Sequence, residues 1–182
     1  MTRNKPHYIV LIILILLGYL GNYFKIPLFF GVDFLLGTIF VWLVSYLFGI
    51  TWGIISGFIA SICTYFLWGH PYAIIIFTCE AIFVNFFLRK KSYNLLFLDI
   101  LYWTCLGIPL VALFYGAILP VSVTGTWLIM FKQSVNGIFN ALIANLIIIT
   151  FPLEKWFKNK GKIKVISFEK SLFIILTTFV LF

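Results

Sequence analysis

Apolar runs of fifteen to twenty-five residues recur along this chain, divided by short breaks that hold most of the prolines and nearly all of the charge. The first run covers about 8–23, after Arg3 and Lys5, and FKIPLFFGVD (24–33) breaks it. A second covers about 34–48, and GIT (49–51) turns the chain tightly into a third, about 52–68. WGHPY (68–72) ends that run, since Pro71 lacks the N–H a continuing helix needs. The fourth ends at RKKSYN (89–94), the fifth covers about 95–119 and closes at PVSVTG (120–125), and the sixth covers about 127–151. About twenty apolar residues carry a helix across a bilayer. The pattern therefore predicts an all-α, polytopic membrane bundle of six transmembrane helices over residues 1–151.

Beyond it, PLEKWFKNKGKIKV begins a basic cytoplasmic connector, 152–170. SLFIILTTFVLF (171–182) reads as the start of a seventh helix, cut short. A complete seventh span would deliver the chain to the outer side, so the reading here is of a fragment.

Composition agrees. Of 182 residues, 63% are hydrophobic, 20% aromatic and only 10% charged, where a soluble domain carries about 25% charge. The net charge of +8 does not indicate a nucleic-acid partner, because the cations sit in short clusters between apolar runs, as topology signals do. Alternating the breaks between two sides places Arg3, Lys5, Arg89, Lys90, Lys91, Lys155, Lys158, Lys160, Lys162, Lys164 and Lys170 on one side and Lys25 alone on the other. That bias makes the N-terminus cytoplasmic. Trp52, Trp68, Trp127 and Trp156 then fall at interfaces, as an aromatic belt requires. Cys63, Cys79 and Cys105 lie inside apolar runs without C-x-x-C spacing and read as small packing residues. No cleavable signal peptide is evident.

Few polar groups lie inside the spans, and they carry what chemistry there is. Lys132, Asn136 and Asn140 recur at intervals of four on the sixth run and share one helix face, with Gln133 beside it. Glu80 lies ten residues past His70, about 15 Å below the outer surface, close to the depth of Asn136, while Lys132 lies about 7–9 Å deep. A charge near mid-bilayer costs about 2.5–3.5 kcal/mol, so a Glu80–Lys132 pair in a shared polar cavity is expected. The competing readings are interhelical glue and a Lys132 that snorkels to the headgroups. His70 fits either a lid over that cavity or a turn shaped with Pro71. Asp33 fits either a ligand contact or a helix N-cap, and Asp99 is placed at the inner interface. Gly49, Gly53, Gly57 and Ser61 form a small-residue stripe, suited to packing within the bundle or to a homodimer. No H-E-x-x-H, G-x-S-x-G, Walker loop or Cys/His metal cluster appears, so no catalytic residue, metal or cofactor is assigned.

The segments GNYFKIPLFFGVDFLLGTIFVWL, WGHPYAIIIFTCEAIFV and FKQSVNGIFNALIANL resemble the vitamin-uptake-like sensor domain at the N-terminus of bacterial signal-transduction proteins. That domain is similar to the substrate-binding components of energy-coupling-factor vitamin transporters. The resemblance covers about residues 8–151. It implies a multi-pass protein of the bacterial inner membrane that takes a small-molecule ligand from the extracytoplasmic side. In such proteins a further helix leads to a histidine kinase or diguanylate cyclase output. The ligand site expected from the polar positions is Glu80, Lys132, Gln133, Asn136 and Asn140, with His70 and Asp33 in outer lids. The transporter alternative would need an Ala-x-x-x-Ala-like docking motif in the first helix, where this chain has YIVLIILILLGYLGNYF.

Overall fold

The computed structural model describes residues 5–27, 33–88 and 94–151, together with the single positions 153, 167, 169, 170 and 173. The Arg89–Lys91 cluster and nearly all of the expected connector (152–170) and seventh helix (171–182) lie outside the described residues.

Among the described residues up to Phe151, six helices follow one another. Helix α1 is Lys5–Tyr23, α2 Gly37–Phe48, α3 Ile50–Trp68, α4 Tyr72–Leu88, α5 Leu95–Ile118 and α6 Val123–Thr150. Helices α3, α5 and α6 are each long and apolar enough to cross a membrane, whereas Tyr8–Tyr23, α2 and α4 are shorter apolar helices. In α1 the exposed positions Ile9, Ile12, Ile13, Leu16, Leu17 and Leu20 follow the i, i+3, i+4 spacing of a single face turned away from the bundle. Its inward face carries Leu11, Gly18 and Asn22. A Cβ on Gly21 would lie 3.1 Å from the Gly37 backbone, so glycine permits the close crossing of α1 and α2.

Helix α2 is buried on nearly every side, with Val41, Trp42 and Val44 all inaccessible, and α1, α3 and α6 pack around it. Being apolar all round suits it to that central place. It starts three residues later than expected. Asp33–Phe34 pairs with Ile26–Pro27 as a two-stranded antiparallel ribbon, and the backbone of Leu35 is held by side chains of α6. Asp33 is therefore not the N-cap of α2. Leu36 holds that position without a side-chain cap.

Glycines at left-handed backbone angles end two elements. Gly49 (φ 92°) turns α2 into α3 and Gly69 (φ 72°) ends α3, its N–H reaching Tyr65 O at 2.8 Å. Helix α5 starts at Asn94, whose side chain accepts the Phe97 N–H at 2.7 Å. It carries two π-helical stretches, Trp103–Gly107 and Ala112–Ile118, on either side of Pro109. Proline removes one rung of the α ladder, and the wider turns absorb the irregularity. Helix α6 starts earlier than expected, because the Ser122 hydroxyl accepts the Gly125 N–H at 3.2 Å.

Candidate functional site

A cavity of about 470 Å³ lies where the ribbon, the α3–α4 turn, the end of α5 and the first turns of α6 meet. Its volume is in the range of small-molecule pockets. Asp33, Trp68, His70, Tyr115, Lys132 and Gln133 are its polar and aromatic lining, and Leu119, Pro120, Val121 and Ile129 are its apolar wall. Four of the seven expected ligand residues thus share one chamber: Asp33, His70, Lys132 and Gln133.

Lys132 does not pair with Glu80. Among the described residues the one ion pair is Lys25 with Asp33, at 2.7 Å beside the ribbon. The Lys132 ammonium lies 4.7 Å from the centre of the Trp68 ring. The physical reason is reach and direction: Lys132 lies two turns nearer the start of α6 than Asn140, and its long chain extends toward the aromatic rim, where a ring face attracts a cation. His70 completes that rim. Its ring meets Tyr115 edge-on at 5.1 Å and lies 5.4 Å from Tyr72 and 6.4 Å from Trp68. Burial holds the His70 imidazole below its ordinary pKa, so the neutral ring is favoured.

Three buried polar atoms around the chamber have no hydrogen-bond partner among the described residues: His70 Nδ1, the Tyr115 hydroxyl and Gln133 Oε1. Buried polar groups are normally satisfied, so these are the atoms a bound molecule would meet. Tyr115 was missed in the sequence. The signal was present, since a tyrosine near the outer end of the fifth run faces the same side as WGHPY.

Asn136 and Asn140 are placed differently from expectation. The Asn136 amide accepts the Leu35 N–H at 2.7 Å and donates to Leu35 O at 2.6 Å, and Asn140 donates to the same carbonyl at 2.8 Å. They fix the start of α2 and do not line the cavity. Asn22, unflagged in the sequence, does the equivalent from α1: its amide accepts the Gly37 N–H at 2.8 Å and donates to Ala60 O at 2.8 Å.

Glu80 also lies away from the cavity. It is 1% exposed, and Trp103 Nε1 donates to its Oε1 at 3.3 Å. Asp99, expected at the inner interface, is instead fully buried beside it. The reason is the antiparallel return of the chain: Glu80 lies two turns before the end of α4 and Asp99 one turn after the start of α5.

The small-residue stripe faces inward. A side chain on Gly53 would strike Ser45 and Asn85, one on Gly57 would strike Ala81, and the Ser61 hydroxyl lies 3.3 Å from that of Thr78. Gly49 has open space around it and serves the turn.

No protein family, curated protein or solved structure matches the chain.

Proposed function

We propose that this chain is a six-span module of the bacterial inner membrane that holds a small molecule at its outer face and reports its presence. The observation that carries this reading is the outer cavity, which combines a half-buried ammonium, an aromatic rim and three unsatisfied polar atoms. An anionic group on the ligand would meet Lys132, and its remaining polar atoms would meet Gln133, Tyr115 and His70. Occupancy would press on the first turns of α6, whose far end continues into the basic connector, and so on to a kinase or cyclase output. A transporter substrate-binding component would use a similar cavity. Against it stands α1, whose exposed face is built of Ile and Leu, with no smooth surface for a coupling subunit.

The test is recovery of the ligand. Protein purified into nanodiscs from cells is analysed by native mass spectrometry and extracted for small molecules. A charge-assisted hydrogen bond contributes about 1.5–3 kcal/mol, so Lys132→Ala should weaken retention by about ten- to a hundredfold. Equal retention by Lys132→Ala and Gln133→Ala would remove the cavity as the site. Co-purification of a coupling subunit with ATPases would turn the reading toward transport.

A further inference from the structure

Helices α2 to α6 contain only three charged side chains: Glu80, Asp99 and Lys132. The one cation stands over Trp68 in the outer cavity, and the two acids face each other across α4 and α5. Both are buried, Asp99 completely. One donor reaches them, the indole N–H of Trp103 at 3.3 Å from Glu80 Oε1. Among the described residues, Glu80 Oε2 and both oxygens of Asp99 have no donor.

Two ionised carboxylates cannot occupy such a place together. Each would carry the full desolvation cost of a buried charge, and their repulsion would add to it. Neither can donate to the other unless one is an acid. The other titratable neighbours do not help: the Tyr102 hydroxyl is committed to Ile76 O at 2.6 Å, and Cys79 is a weak donor. Helix α3 contains no charged residue, and the single charge of α6 is directed elsewhere. Among the described residues no third His, Cys, Asp or Glu completes a cluster with the pair that could hold a metal ion.

From this geometry we infer that Glu80 and Asp99 form a proton-binding site, in which one proton is held between the two carboxyl groups and ties α4 to α5. With one group acidic, its O–H donates to the other's oxygen and satisfies an orphaned acceptor. Trp103 sets the geometry. Its indole lies against Gly137 of α6, where any side chain would collide with it, and its residue opens the first π-helical stretch of α5. Gln133, on the cavity wall, lies one turn from Gly137. Withdrawal of the proton would leave two facing charges and drive α4 and α5 apart beneath the cavity floor. This site is independent of what the cavity binds.

Infrared spectroscopy of the full chain in nanodiscs at neutral pH reads the proton directly. The expected result is one protonated-carboxyl C=O band that shifts in D2O and is lost in the Glu80→Gln/Asp99→Asn double variant. Absence of the band, or its survival in the double variant, overturns the proposal. A second measurement uses Glu80→Gln, whose amide can donate to Asp99 as the acid would. A group protonated when folded and ionised when unfolded contributes stability that is lost as pH rises. Above the range in which His70 titrates, the wild-type melting temperature should therefore fall on raising pH while that of Glu80→Gln stays flat, and parallel profiles there would count against a bound proton. A wild-type melting temperature that climbs with sodium at fixed ionic strength, without the acid band, would assign the site to a cation instead.

Discussion

Asn136 makes two hydrogen bonds to one backbone unit, Leu35, from a position that is 3% exposed. Replacing it by alanine strands a buried N–H and half of a carbonyl's partners. Asn136→Ala should lower stability by about 1–3 kcal/mol, read as a shift in the denaturation midpoint in mild detergent. His70 behaves differently because its effect depends on pH. Its folded-state pKa lies below the ordinary value of 6.5, so the folded protein binds fewer protons than the unfolded chain through that range. The contribution of the neutral ring is present above the ordinary value and is lost as pH falls below it. Tryptophan fluorescence from Trp68, 6.4 Å away, should change on acidification through that window in the wild type and not in His70→Gln. A parallel change in both would assign the transition to another group.

At the scale of elements, glycine does two distinct jobs, and substitution separates them. Gly137 makes room: an added methyl would meet the Trp103 indole, so Gly137→Ala should cost about 1–3 kcal/mol by overpacking and displace the donor to Glu80. Gly69 has nothing within 4 Å but a φ of 72°, so Gly69→Ala should cost only about 1 kcal/mol, from the backbone alone. Thermal unfolding of the two variants side by side checks the order. Equal losses would mean that the indole can move aside. The helical runs themselves were legible from hydropathy, to within a few residues at their ends. The ends moved for local reasons: Ser122 caps α6 early, and Leu35 is held by α6, delaying α2.

Over the whole molecule, the Ile and Leu face of α1 and the exposed Phe66, Phe86, Phe131 and Phe139 form an outer surface suited to lipid. On the proposed reading, the charge bias along the sequence would orient the bundle with its N-terminus inside. In a chain whose Cys63, Cys79 and Cys105 are replaced, a cysteine introduced at Val121 should react with a membrane-impermeant maleimide in intact cells. One introduced at Ser92 should react only after lysis. The opposite pattern would invert the bundle and place the cavity on the cytoplasmic side.

Hydropathy and charge position, both properties of single residues summed over short windows, are enough to determine six apolar helices and an expected orientation. Helical spacing likewise puts Lys132, Asn136 and Asn140 on one face. What each of those side chains touches was decided by tertiary structure. Asn136 and Asn140 find Leu35 more than a hundred residues away in sequence, and Lys132 finds an aromatic ring where a carboxylate was expected. Glu80 finds Asp99 because α4 and α5 pack antiparallel, a register that no local pattern encodes. Buried polar groups take the nearest partner that the packed backbone offers, and depth along a helix axis does not name that partner; the angle about the axis and the neighbour it faces do.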